Sequence, residues 1–216
     1  LVRWALLGSF TGEVSEYKLL LDGEWRLDHS NHYFRFGPYG PNSAIYAPTV
    51  GRLTSIPDVY SSELDNSREL FIYLPAAYFA EPDQPLGVMY MQDGFNVFRN
   101  PLATFGSWDV DATADLLFAA GLAEPVIVVG IDTADRIREY IPIPVNLRAD
   151  GSGEIVDAKL DAYRDFLTGT IKPLIDGRYR TRPEREHTAM AGSSLGGISS
   201  FYIAWTRPDV FSRVAA

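Results

Sequence analysis

The chain has 216 residues, 46% of them hydrophobic and 22% charged, with a formal net charge of −9 and no cysteine. That length holds one medium domain, or a domain plus a small module, and is enough to bury a proper core. The negative balance argues against nucleic-acid and anionic-membrane partners, and the absence of cysteine excludes disulfides, thiolate catalysis and cysteine metal sites.

The opening "LVRWALLGSF" is too short and polar for a signal peptide or a membrane span, so the expectation is a soluble chain of open compartment. It lacks an initial methionine and reads as the middle of a strand, while "FSRVAA" stops on an apolar run with no turn after it. Both ends therefore read as cut. Residues 1–47 give short strands, "VRWALL", "YKLLL" and "SAIYA", separated by "GSFTGE" and "FGPYGPN". "APTVGRLTSIPD", with Pro48, Gly51 and Pro57, reads as a linker. The pattern then changes. "RELFIYLP", "LGVMYMQD" and "EPVIVVGID" are nearly continuous apolar runs suited to strands buried on both faces of a sheet. "DATADLLFAAG" predicts a helix with acidic residues early and Gly121 as its C-terminal cap. Between 155 and 176, Val156, Leu160, Tyr163, Leu167, Ile171 and Leu174 make one helical apolar stripe. Strands alternating with helices predict an α/β fold with a mostly parallel sheet over 51–216, preceded by a small β module over 1–50.

"AGSSLGG" fits Gly-x-Ser-x-Gly as Gly192, Ser193, Ser194, Leu195 and Gly196. The motif alone is weak, but an apolar strand "TAMA" leads in and a helical stretch, "GISSFYIAWTRPD", leads out. Strand, bend and helix together make a nucleophile elbow. A serine held in a strained bend needs glycine two residues before and after it, which selects Ser194 over Ser193. Its hydroxyl then stands at the start of the following helix, where the Leu195 amide can stabilise an oxyanion. A second donor is expected from a neighbouring strand's end, and "VMYMQDGFNVF" offers the amide of Phe95 after the Asp93-Gly94 turn.

From about residue 57 onward, the chain resembles the putative-esterase group of α/β-hydrolases, which includes enterochelin, feruloyl and acetyl-xylan esterases and mycolyltransferases. The resemblance is carried by "RELFIYLPAAY", "MYMQDGFNVF", "VIVVGID" with "RIREYIP", and "YRTRPEREHTAMAGSSLGG". It implies an α/β-hydrolase fold and Ser194 as nucleophile, with Leu195 and Phe95 amides as the oxyanion hole. It also implies acyl transfer from an ester through an acyl-serine, without metal or organic cofactor. The substrate class is a small-molecule or polysaccharide ester: a feruloyl or acetyl polysaccharide, or a siderophore lactone. The group places its acid and histidine after the serine. Here Gly197–Ala216 contains no histidine, and His187 stands at the far end of the strand before Ser194, roughly 20 Å away. His29 and His32 lie in the N-terminal module. The chain therefore reads as a fragment whose acid and base lie beyond Ala216 or on a second chain.

"YKLLLDGEWRLDHSNHYFRFGPYGPNSAIYAP" resembles the later part of a glycogen-binding-type early-set β-sandwich. In glycan-binding members the residues matching Lys18, Trp25 and Asn42 hold sugar, and an inactive hydrolase joined to such a module is the alternative function. The residues themselves favour a packed Trp25, a solvated Lys18 and a turn-shaping Asn42. Arg136, Glu139 and Tyr140 follow a sheet strand, where α/β folds gather ligands, and either line the substrate pocket or form an internal ion pair. Asp109 and Asp111 lack further metal-ligand spacing and fit a helix start.

Overall fold

The computed structural model describes residues 12–148 and 151–216, so the expected strand "VRWALL" lies outside the described residues. The N-terminal stretch forms β1 (Val14–Tyr17), β2 (Leu19–Leu21), β3 (Glu24–Arg26), β4 (Phe34–Gly37) and β5 (Gly40–Tyr46). A long antiparallel pair follows, β6 (Arg52–Ser61) with β7 (Asn66–Leu74), and then α1 (Ala76–Ala80), β8 (Gly87–Met91), α2 (Gly94–Val97), α3 (Val110–Ala119), β9 (Val126–Ile131) and α4 (Arg136–Tyr140). A short ladder of β10 (Val145–Asn146) and β11 (Ile155–Val156) precedes α5 (Leu160–Phe166), which passes through a π-helical turn into α6 (Lys172–Arg178). The described chain closes with β12 (Thr188–Ala191), α7 (Leu195–Thr206) and β13 (Arg213–Ala215).

Nine strands make one sheet in the order β1-β5-β4-β6-β7-β9-β8-β12-β13. The expected α/β architecture is present, with parallel pairing confined to β9, β8, β12 and β13. The remaining pairings, from β1 to β9, are antiparallel because short turns join most of these strands. The strand order reverses at β8, whose neighbours β9 and β12 are reached through helices. Their carboxyl ends therefore open a crevice at a topological switch point.

Alternation along β8 shows how the two faces fill. Val88 and Tyr90 join one apolar cluster with Leu160, Tyr163, Phe166, Leu167, Ile171 and Ile203, while Met91 joins another with Phe36, Phe71, Tyr73, Phe98 and Ala114. Full burial of one such side chain contributes about 1.5–3 kcal/mol. In the helical stripe, Leu160, Tyr163, Leu167 and Ile171 are buried as expected, but Ile175 takes the core position expected for Leu174. The π-helical turn at Leu167–Ile171 holds more residues than an α-turn and rotates the following helix, bringing 175 rather than 174 onto the buried face. Val156 falls in β11 instead of the helix. Gly121 does cap α3: at φ 66° it lets its own amide reach the Phe118 carbonyl and that of Leu122 reach Leu117.

Two expectations are corrected. The supposed linker is largely strand β6, which carries Pro57 at a register shift between Ile56 and Val59, with Asp58 at φ 55°. A bulge leaves that position unpaired, so a residue without an N–H fits there. The described N-terminal residues do not support an early-set sandwich. β1, β5 and β4 extend the large sheet through the pairing of Phe34 with Leu53, and β2 with β3 forms a separate hairpin.

Candidate active site

Only three residues separate the end of β12 at Ala191 from the start of α7 at Leu195. The turn is accomplished at Ser194, with φ 57° and ψ −124°. Among the described residues, the other non-glycine positions with left-handed φ are all aspartates, a type that tolerates this region. Ser194 is the exception, and such a conformation costs about 1–3 kcal/mol. The flanking glycines are required by contact. A Cβ on Gly192 would collide with the Gly196 carbonyl, and one on Gly196 would come within 3.0 Å of both Asp93 Oδ2 and Gln92 Cβ. Ser194 is exposed, and the first bond of α7 runs from the Ile198 amide to the Ser194 carbonyl at 3.0 Å. The Leu195 amide thus stands at the first helical position, where no intrahelical acceptor exists.

A cleft of about 550 Å³ lies over the carboxyl ends of β8, β9 and β12, lined by Ser193, Ser194, Asp93, Phe95, Asp132 and Arg136 among others. Asp93 follows β8 by two residues in a left-handed conformation, φ 58° and ψ 51°, and starts the short α2 that carries Phe95. Gly94 lets that turn sit on β9, since a Cβ there would lie 2.7 Å from the Asp132 amide. The Phe95 carbonyl accepts a bond from Asn100 Nδ2 at 2.9 Å. The far wall is the 99–109 loop, which brings Thr104, Phe105 and Trp108 over the cleft. It is laced to Asn96 by the Trp108 amide, 2.8 Å from the Asn96 carbonyl, and by Asn96 Nδ2, 2.9 Å from the Gly106 carbonyl.

Of the three residues expected as pocket lining, Arg136 alone reaches the cleft. Its Nε and Nη2 donate to the two carboxylate oxygens of Asp93 at 2.6 and 3.0 Å, which raises the guanidinium pKa. Glu139 and Tyr140 are corrected to buried positions, 1% and 0% exposed. Glu139 accepts from Arg68 Nη1 at 2.7 Å, Thr133 Oγ1 at 2.8 Å and Asn66 Nδ2 at 3.3 Å. Tyr140 accepts from the Asp93 amide at 3.1 Å, and burial pushes its phenol well up. An internal Arg–Glu pair is therefore present, with Arg68 and not Arg136 as the partner.

Sequence reasoning missed Phe105, Trp108 and Asp132. Two aromatics in the turn-rich "TFGSW" and an acid directly after β9 were the available signals. Burial pushes the Asp132 carboxyl pKa up, and the neighbouring Glu69 and Asp93 charges act in the same direction. His187 immediately precedes β12 at its opposite end, and His29 and His32 are exposed in the segment between β3 and β4; none of the three lines the cleft. Trp25, expected to pack, is 54% exposed on β3, Lys18 is half-buried, and Asn42 donates to Glu16 Oε2 at 2.7 Å. Among the described residues no helix is long and apolar enough to cross a membrane.

The model of the putative esterase family matches residues 61–216. The uncharacterized protein YbbA of Bacillus subtilis is 24% identical over 150 residues, covering 69% of this chain and 56% of YbbA. The iron(III) salmochelin esterase of Escherichia coli O6:H1 is 28% identical over 150 residues, covering 68% of this chain and 31% of that protein. In three dimensions the chain is similar to the ferulic acid esterase of Anaeromyces mucronatus, with a TM-score of 0.56 at 22% identity, covering 76% of this chain and 57% of that one. The chain thus spans about half the length of YbbA and less of the salmochelin esterase.

Proposed function

This chain belongs to the putative esterase family, and we propose that it acts as a serine carboxylic-ester hydrolase through an acyl-serine intermediate. The observation that carries the reading is the strained Ser194 at the β12–α7 junction, exposed in a cleft it shares with Phe95. Strain of this kind persists only where the surrounding contacts over-determine it, and it clusters at reactive positions. In the proposed reaction Ser194 Oγ attacks the ester carbonyl. The Leu195 and Phe95 amides take the developing oxyanion, the alcohol leaves, and water then releases the acid.

The acyl group is proposed to be aromatic and uncharged. Phe95, Phe105 and Trp108 line the cleft, a set of rings suited to stacking. The one guanidinium lining it is engaged on both oxygens of Asp93, while the Asp132 carboxylate, bonded by the Thr133 amide, has no ion-pair partner among the described residues. With a chain charge of −9 as well, an anionic acyl group meets repulsion. A hydroxycinnamoyl ester fits this set better than an anionic siderophore lactone. The second reading, glycan binding beside an inactive hydrolase fold, has one observation in its favour, the exposed Trp25 on β3.

The deciding experiment uses the full-length gene product. A fluorophosphonate labels Ser194, and Ser194→Ala abolishes both that labelling and hydrolysis of p-nitrophenyl acetate and methyl ferulate. Labelling that survives the substitution refutes the nucleophile. Loss of glycan affinity in Trp25→Ala, with no hydrolysis by the parent, favours the second reading.

A further inference from the structure

We infer that Arg136 and Tyr140 are positioning residues that clamp the Asp93–Gly94–Phe95 turn in place, and so aim the Phe95 amide. The inference rests on the esterase reading only for the use made of that amide; the clamp itself stands on the following contacts.

The turn does not hold itself. Its helix, α2, is four residues long, and it begins from Asp93 in a left-handed conformation without a side-chain cap. A helix this short has almost no intrinsic stability, so its start must be held by its surroundings. Two groups from α4 supply the hold. Arg136 grips the Asp93 carboxylate with two bonds of 2.6 and 3.0 Å, while the Tyr140 hydroxyl accepts from the Asp93 backbone amide at 3.1 Å. The two are four residues apart, so one face of α4 presents both. Side chain and backbone of Asp93 are fixed independently, which leaves it little freedom to rotate.

The clamp is anchored behind. Glu139, between the two gripping residues, is buried against Arg68 of β7 at 2.7 Å, and the Arg68 guanidinium lies over the rings of Tyr163 and Phe166 at 5.4 and 5.0 Å. α4 is thereby fixed to the sheet and to α5. In front, Asp93 Oδ2 stands where a Cβ on Gly196 would meet it at 3.0 Å. The gripped carboxylate is in this way a spacer between the loop carrying Phe95 and the elbow carrying Leu195. Displacing it changes the separation of the two amides, which must converge on one oxygen.

Hydrogen exchange read by mass spectrometry tests the clamp without reference to activity. In Arg136→Gln and Tyr140→Phe, amides 93–96 should exchange about tenfold faster or more, with the 188–200 peptide unchanged. Arg136→Lys keeps the charge but not the fork, so it should give an intermediate effect and covers the case in which Arg136→Gln does not fold. In the ester assay on the full-length gene product, Arg136→Gln should lower kcat by about 100-fold with KM within about twofold, and Asp93→Asn added to it should cost little more. Unchanged exchange at 93–96 in all three variants overturns the clamp whatever the catalytic result. Acceleration spread evenly over the whole chain also overturns it, because the role is then only structural. Hydrolysis that survives Ser194→Ala instead overturns the esterase reading, and the exchange pattern still decides the clamp.

Discussion

The ring of Phe36, on β4, stands edge-on to the ring of Phe95, with centroids 5.9 Å apart. Phe36 also packs on Phe71 at 5.4 Å, and Phe71 lies 6.4 Å from Phe95, so three rings close around one point. Phe36 precedes the family match at 61–216, yet it supports a residue that lines the cleft. Phe36→Ala should therefore lower stability by about 3 kcal/mol, the usual result of emptying a buried aromatic site. Phe36→Leu, which keeps most of the volume, should cost less than about 1.5 kcal/mol. Urea unfolding measures both, and KM for an aromatic ester should rise in Phe36→Ala because the Phe95 ring loses its backing. An alanine variant as stable as the parent would show that the ring contributes no packing.

Strain at Ser194 gives an unusual ordering of variants. Alanine and serine share the cost of φ 57°, whereas glycine adopts that angle freely. Glycine also adds entropy to the unfolded chain, which offsets part of the relief. The net expectation is that Ser194→Gly exceeds Ser194→Ala in stability by about 1 kcal/mol. Thermal melts of the two variants check this, neither of which has a hydroxyl to complicate the comparison. Equal melting temperatures would mean that the junction relaxes and stores no strain.

What the sequence revealed about this site followed from the range of its interactions. The elbow is local: Gly192, Ser194 and Gly196 clash or fit within five residues, so spacing alone exposes it. Glu139 and Tyr140 are not local. Their partners Arg68 and Asp93 lie 71 and 47 residues away, and no periodicity announces a pairing at that distance. Strand β6 was obscured because Pro57 resembles punctuation until the bulge that accommodates it is known. The π-helical turn was likewise invisible, since a stripe at steps of three and four assumes an even helix. Trp25 shows the opposite failure: its size suggested burial, but on a hairpin of two short strands it stays 54% exposed among the described residues.

Asp132 should make stability depend on pH in a definite direction. Its folded pKa is raised above the ordinary 3.8, with burial as the main cause. Between 3.8 and the folded value the native state holds a proton that the unfolded chain has lost. Stability from this group therefore falls as pH rises through that window, and the penalty stays constant above it. Asp132→Asn removes the penalty, so it should be more stable than the parent at pH 7, with the advantage vanishing as pH drops below about 4. Melting curves from pH 3 to 8 decide the matter. The same variant should hydrolyse carboxylate-bearing aromatic esters better relative to neutral ones, since it removes a negative charge from the cleft lining.

The Arg68–Glu139 pair offers a test of how α4 is fixed to the sheet. Both side chains are 1% exposed and 2.7 Å apart, so removing either charge leaves the other buried without its partner. Glu139→Leu should cost about 3–5 kcal/mol, as should Arg68→Met, because an uncompensated buried charge is expensive. The double variant Arg68→Met/Glu139→Leu should be clearly more stable than the sum of the two singles implies, since neither charge remains to be desolvated. It should not fully recover the parent value. Asn66 Nδ2 and Thr133 Oγ1, which donate to Glu139 at 3.3 and 2.8 Å, lose their acceptor in the double variant. A double-mutant cycle by urea denaturation measures the coupling. Strict additivity would mean that the two side chains do not stabilise one another in solution, and α4 would then be held by its other contacts, those of Arg136 and Tyr140 with Asp93 and of the Arg138 carbonyl with the Lys159 amide.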